Sequence, residues 1–266
     1  MAKATRKQSN SPLRRLTPAG KLLEMIVMRH VPQAIYVVAV LGIADLLADG
    51  PKSSDELAHA TGSHARTLYR VLRTLVAAGV FAEDKAGRFR LTALGQPLRS
   101  DVADSVRAAP IFLSGESELE GLLLDCVRTG KTAVELASGM TNSFEYYQEP
   151  TRAAVFNAAM TALSNAHYTG VVDAYDFRSI RKLVDVGGGH GRLISMILTA
   201  YPKMRGVLFD MPHAFEGGQR TIAEAGLSNR CEVVSGDFFR SVPAGGDAYI
   251  LSRVIHDWTD DKAVAI

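Results

Sequence analysis

The sequence predicts an α/β chain: a Rossmann-like, doubly wound parallel sheet preceded by a mostly helical module. Three observations carry this. Four short apolar runs follow one another in the second half, Leu183–Val186, Arg205–Asp210, Cys231–Val234 and Ala248–Ser252, and each ends in glycine or polar residues. Runs of this kind suit strands buried on both faces, and open α/β sheets bind ligands beyond the carboxyl ends of such strands. The first run breaks at once into Gly187-Gly-Gly-His-Gly191, which leads into a helix expected over Arg192–Ala200. The first hundred residues read instead as helices followed by a hairpin.

From the N-terminus, six Lys or Arg and no acid fall in the first 21 residues, a solvated basic arm over 1–16. Leu22–Met28 and Gln33–Leu47 are helical and apolar nearly all round, which predicts packing against a partner subunit. Ser53-Ser-Asp-Glu-Leu starts a short helix with a capping signal, Ser63 opens a second helix to Ala78, and Val80–Leu91 makes a hairpin turning at Lys85-Ala-Gly87. Helix, helix and hairpin in that order form a winged-helix pattern, assigned to 17–103. Residues 104–170 form a helical bridge, with helices over Ser105–Leu113, Glu116–Arg128 and Thr151–Tyr168. The sheet domain occupies 171–266.

Composition narrows the function classes. Nearly half of the 266 residues are apolar and the formal charge is +2, which favours neither a membrane protein nor a dedicated polyanion binder. Cys126 and Cys231 stand far apart with no C-x-x-C, a pattern of reduced thiols in the cytoplasm rather than of a disulfide framework or zinc site. No secretory signal is evident, and Arg29, His30, Pro32 and Asp45 interrupt the early apolar segment, so no membrane span is expected. No cluster of acids suggests a metal. The hairpin module does carry Arg66, Arg70 and Arg73 on one helical face, and residues 50–100 hold eight Lys or Arg against four acids. A winged-helix regulator of duplex DNA is therefore an alternative, although it leaves the glycine loop without a task.

The loop itself is D-x-G-x-G-x-G rather than the dinucleotide pattern G-x-G-x-x-G. Gly187 and Gly189 are followed at the required place by Arg192, and Gly189 and Gly191 by Ile194. A carboxylate just before the loop, Asp185, repels a pyrophosphate and suits the amino group or sulfonium of S-adenosylmethionine, directly or through water. Asp210 ends the second run 21 residues after Gly189, where a doubly wound fold places the acid that accepts from ribose hydroxyls. Asp237 and Phe238 close the third run, an acceptor and an aromatic face that suit adenine. His256 is the one histidine of seven just past the fourth run. A neutral imidazole titrates near working pH and can remove a phenolic proton; the competing reading is a histidine that caps the next helix.

Leu-Val-Asp-Val-Gly-Gly-Gly-His-Gly (183–191), Leu-Phe-Asp (208–210), Gly-Asp-Phe-Phe (236–239) and Leu-Ser-Arg-Val-Ile-His-Asp-Trp (251–258) together resemble the class I S-adenosylmethionine-dependent O-methyltransferases of the caffeate, acetylserotonin and bacterial polyketide-tailoring type. The resemblance runs from about residue 17 to the end. It implies cofactor contacts at Gly187, Asp210, Asp237, Phe238 and Ser252, to which the loop reading adds Asp185 and Gly189. It also implies a catalytic base at His256, and an acceptor pocket for a hydroxylated aromatic or polyketide-like metabolite lined by Phe144, Tyr147, Phe156 and Met160. For those four, ordinary core packing is the competing reading. His190 is expected to cover the cofactor and Arg152 to pair with its carboxylate. The N-terminal module is implied to form a homodimer, with no nucleic acid bound. Plant members usually carry Lys where this chain has Ser252, which points to a bacterial enzyme. A non-catalytic cofactor-binding homologue remains the other alternative. The resemblance also implies roughly 80 further residues after Ile266, with three strands beside the fourth run. A truncated chain is expected to be poorly soluble and weakly active, because the fourth run is then an exposed apolar edge.

Overall fold

The computed structural model describes residues 17–141, 146–147, 149–168 and 170–266. Contacts divide the chain into two units, one ending at Gln96 and the other beginning at Pro97.

In the first unit the helix Ser54–Thr61 starts where its cap predicts. Ser53 Oγ accepts from the Glu56 amide at 3.2 Å while the Glu56 carboxylate accepts from the Ser53 amide at 2.7 Å. The next helix, Ala65–Ala77, turns Leu68, Leu72 and Leu75 inward, so Arg66, Arg70 and Arg73 face out. Strands β2 (Phe81–Glu83) and β3 (Arg88–Leu91) form the hairpin, closed by Asp84, which accepts from the amides of Ala86 and Arg88. A third strand, β1 (Lys52–Ser53), pairs antiparallel with β3; two residues are too few to leave a periodic signal in the sequence. Phe81, Phe89 and the helix leucines make the core.

The apolar N-terminal stretch forms Pro18–Val27, His30–Val40 and Ile43–Leu46. The helix expected over Gln33–Leu47 is thus two pieces, parted where Gly42 takes φ +65°, a left-handed conformation that ends a helical turn. The first helix buries none of its residues, and Leu22, Leu23, Met25, Ile26 and Val27 are all more than half exposed. By length and composition, Pro18–Val40 is a candidate membrane span of 23 residues with mean hydropathy 1.3.

The second unit begins with the helices Ala108–Gly115, Ser117–Gly121, Leu123–Thr129 and Ala133–Ser138, then the long helix Pro150–Tyr168. The single helix predicted over Glu116–Arg128 is therefore broken, at Leu122. Four parallel strands follow: β4 (Lys182–Val186), β5 (Arg205–Asp210), β6 (Cys231–Ser235) and β7 (Ala248–Ile250), in the spatial order β6-β5-β4-β7. Register places Asp185 between Leu208 on β5 and Ile250 on β7. Successive strand residues alternate between two apolar layers. Leu183 and Leu208 join Ile194, Ile197, Leu198 and Ile222 of the helices Arg192–Ala200 and Phe215–Glu224, while Val184, Val186, Val207 and Phe209 pack on the opposite face. Strand order reverses between β4 and β7, so the crevice of a doubly wound sheet opens where the chain leaves these two strands.

Candidate functional site

Gly187 leaves β4 at φ +68°, and a Cβ there would stand 2.7 Å from Val254 Cγ2, so only glycine fits. The Gly187 and Gly188 amides donate to Phe209 O, and the Gly189 amide donates to Asp210 Oδ2 at 2.7 Å. Gly191, also left-handed, starts the helix Arg192–Ala200. The loop is thereby clamped to the end of β5. Asp210 is half-buried, and its Oδ1 accepts from the Met211 amide at 2.6 Å. Each carboxylate oxygen has two lone pairs, so both keep acceptor capacity toward a ligand.

Asp185 lies beneath this loop. Strand alternation sends it to the same face as Leu183, where it is 1% exposed and both carboxylate oxygens lack a hydrogen-bond partner. Burial, and secondarily the Asp210 charge, raises its pKa to about 7. His190, in the loop, is half-buried against Gly217, and burial lowers its pKa, followed by the effect of Arg220.

Asp237 follows β6 and accepts from the Phe239 amide at 2.9 Å. The Phe238 ring packs edge-on against Phe239 and Trp258, with centroids 4.9 and 5.9 Å away, and its Cε1 would be 3.8 Å from a Cβ on Gly187. Past β7, Ser252 Oγ donates to the Tyr168 hydroxyl at 2.9 Å. His256 and Asp257 share one short turn, Nε2 to Oδ1 3.0 Å, with the imidazole side chain 64% exposed. Burial raises the Asp257 pKa while His256 pulls it down.

The acceptor-pocket candidates fall in the helical part of the unit. Tyr147 stacks on Phe156, with centroids 5.0 Å apart and planes at 17°, and both meet Phe112 edge-on. Met160 lies one turn beyond Phe156 and is half-buried. Arg152 sits over the Tyr146 ring at 4.2 Å. Phe144 lies outside the described residues. Two features escaped the sequence reading. Tyr168 reaches Ser252 from 84 residues away, and no local pattern announces such a pair. Arg253 takes φ +59°, the one non-glycine residue with positive φ among the described residues, and nothing in its neighbours' propensities signals this.

Set against known proteins, residues 23–101 match the model of an O-methyltransferase dimerisation domain and residues 121–266 that of an O-methyltransferase domain. The chain belongs to the O-methyltransferase family. Phenazine O-methyltransferase PhzM of Lysobacter antibioticus is 45% identical over 248 residues, 92% of this chain and 72% of that protein. The crystal structure of LaPhzM superposes with a TM-score of 0.85 at 43% identity, covering 94% of this chain and 76% of that one. The neocarzinostatin O-methyltransferase NcsB1, solved with S-adenosylmethionine and 2-hydroxy-5-methyl naphthoic acid, gives a TM-score of 0.72 at 37% identity over 88% of this chain and 73% of that one. The family's cofactor is S-adenosylmethionine. The residues present fit it: a glycine turn that admits close approach, a clamped carboxylate at the next strand end, and an aromatic face beside Gly187.

Proposed function

We propose that this enzyme methylates a hydroxyl of a small aromatic secondary metabolite, working in the cytosol as a homodimer. The observation that carries the reading is the convergence on one sheet end of the Gly187–Gly191 turn, the Asp210 carboxylate and the His256–Asp257 pair, all outside the strand reversal between β4 and β7. When bound, S-adenosylmethionine supplies a methyl group already activated as a sulfonium. Gly187 and Gly189 let the backbone approach it, Asp210 accepts from its ribose, Asp237 and Phe238 hold its adenine, and Ser252 borders the same crevice. Asp185 acts from below, as the support of the glycine turn. Tyr147, Phe156 and Met160 line the acceptor's pocket.

His256 removes the acceptor's proton. A phenol with a pKa of about 10 is a poor nucleophile at neutral pH, and a positioned imidazole that takes its proton relieves this. With Nε2 bonded to Asp257, Nδ1 is left as the accepting nitrogen, and Asp257 stabilises the imidazolium that forms. The exposed apolar face of Pro18–Val27 packs on a second copy rather than in a bilayer, a reading supported by the dimerisation-domain match over 23–101. The basic helix face is a solvated surface: Arg73 is already bonded to Glu83 at 2.7 Å.

The test is turnover of 1-naphthol with S-adenosylmethionine, read by mass spectrometry, on protein whose mass in solution is measured by light scattering. A dimer that yields the O-methyl ether is expected. His256→Ala should lower the rate by about 10²–10⁴-fold with cofactor affinity unchanged. A variant that keeps its rate would remove His256 as the base, and a monomer would remove the dimer.

A further inference from the structure

The helical part of the Pro97–Ile266 unit also carries an open groove of about 400 Å³, bordered by Phe112, Glu116, Leu119, Glu120, Val134 and Tyr147. That volume is within the usual range for small-molecule sites, roughly 300–1,000 Å³. Its wall is aromatic and aliphatic, with a carboxylate set into it. Glu116 stands at the break between the helices Ala108–Gly115 and Ser117–Gly121, at φ −96° and ψ +36°, where its backbone belongs to neither helix. Its carbonyl accepts from the amides of Leu119 and Glu120, which fixes the corner.

The polar chemistry of the wall is one-sided. Tyr147 donates its hydroxyl to Glu116 Oε2 at 2.7 Å, and Phe156 stacks behind the Tyr147 ring. Burial first, and then the Glu116 contact, raises the Tyr147 pKa, so the phenol stays protonated and remains the donor. Glu116 Oε1 keeps its lone pairs for something else. Among the described lining residues there is a second acid, Glu120, at the exposed rim, and no Lys or Arg. Arg152 is held on the Tyr146 face, from where its charge reaches Tyr147 without its side chain entering the lining. A groove with aromatic faces and two carboxylates in its described lining favours flat rings that carry N–H or O–H groups over anions.

We propose that this groove binds a flat aromatic of two or three fused rings bearing a hydrogen-bond donor, such as an aromatic amine, a ring N–H or a further hydroxyl, and that Glu116 selects for that donor against a carboxylate. The proposal rests on the reading above that Tyr147 lines the acceptor's pocket, and it names the acceptor class that pocket admits. Phe112, Tyr147 and the aliphatic wall supply ring contact that is indifferent to substituents. Glu116 supplies the discrimination, because a site built around a hydrogen-bonding group rejects the analogue that cannot satisfy it. An acid such as the naphthoic acid bound by NcsB1 would face Glu116 and Glu120 as a third negative charge.

The test is calorimetric binding of three probes, 5-amino-1-naphthol, 1-naphthol and 5-hydroxy-1-naphthoic acid, to the full chain saturated with S-adenosylhomocysteine. The amine should bind the wild type at least about tenfold more tightly than the acid. Glu116→Gln should shrink that preference about tenfold by weakening the amine and admitting the acid, while 1-naphthol changes less than about twofold. Unchanged S-adenosylhomocysteine affinity shows that the variant is folded. Tyr147→Phe should narrow the preference in the same direction but less, since the carboxylate loses a partner and not its charge. Equal preference in wild type and Glu116→Gln overturns the proposal, as does an acid that binds as well as the amine. If 1-naphthol and the amine bind normally and no ether forms, the methyl-transfer reading fails while the selectivity of this groove stands.

Discussion

The two chain segments that leave the sheet at its point of reversal are built in opposite ways. After β4, the turn Gly187–Gly191 is tied down at almost every amide: two bonds to Phe209 O, one to Asp210 and one within the loop, over a fully buried Asp185. After β7, the segment from Leu251 onward has a single buried residue, Val254, with Ile255 43% exposed and the His256 side chain 64% exposed. Its backbone carries strain at Arg253. The difference teaches which task needs which kind of support. Cofactor recognition by backbone and a clamped carboxylate requires a surface formed in advance, since each loosened group adds ordering entropy to binding. A base that must meet different hydroxyl groups tolerates an exposed turn, provided that one anchor fixes its approach.

The clamp is broken most directly at Asp210. Asp210→Ala removes both the acceptor proposed for the ribose and the bond that holds the Gly189 amide. We expect S-adenosylmethionine to bind more weakly by about 1.5–3 kcal/mol, the scale of a hydrogen bond to a charged group. Calorimetry checks this, and an affinity within twofold of wild type would show that the turn is preformed without the clamp.

Asp185 sharpens the same comparison through pH. Its pKa of about 7 in the fold lies above that of an unfolded aspartate, because burial disfavours the charged form; the Asp210 charge adds to this, and Cys231 is the other titratable group in its surroundings. The folded protein therefore holds a proton that the unfolded chain releases between about pH 4 and pH 7. Stability from this group is full below about pH 4, falls as pH rises through that window, and is level above it. Asp185→Asn has no proton to lose. Its stability relative to wild type should rise by about 2 kcal/mol between pH 5.5 and pH 7 and then stay constant, read from denaturant midpoints. A difference that does not vary with pH would mean that Asp185 is charged and partnered in solution, and that the base of the turn is wetter than its burial implies.

How much of this was legible beforehand follows the range of the interactions. The helix Arg192–Ala200 is placed to the residue, because Gly191 and the apolar spacing of Leu193, Ile194, Ile197 and Leu198 are local signals. The same is true of the Ser53 cap and its Glu56 partner. The order of the four strands is readable from their polar endings, but β7 stops at Ile250, two residues short of the expected run, and the chain takes its positive φ at Arg253 shortly after. The role of Asp185 depends on which face of the strand it takes, and that is settled by packing rather than by its neighbours in sequence. Tyr168 and Glu116 stood in helices whose pattern said only that they were helical. Their partners, Ser252 and Tyr147, are 84 and 31 residues away.

The smallest effect tests whether the exposed segment has an anchor besides Val254 and the Trp258 ring. The Ser252–Tyr168 bond joins the end of β7 to the last residue of the helix Pro150–Tyr168, which also carries Phe156 and Met160. If that bond holds the turn in register, its loss should be felt at the cofactor and not only in stability. Tyr168→Phe removes the hydroxyl and keeps the ring, so packing against the apolar layer of the Arg192–Ala200 helix is retained. A partly buried neutral hydrogen bond contributes about 0.5–1.5 kcal/mol, which corresponds to roughly a 2- to 12-fold weaker S-adenosylmethionine affinity if all of it is expressed in binding. Ser252→Ala should cost a similar amount. In a double-mutant cycle the two changes should cost little more together than either alone, a coupling of about 1 kcal/mol. Strict additivity would show that Ser252 and Tyr168 act separately, and the turn that carries His256 would then be held from its two sides by Val254 and by the Trp258 ring packed on Phe238 and Phe239.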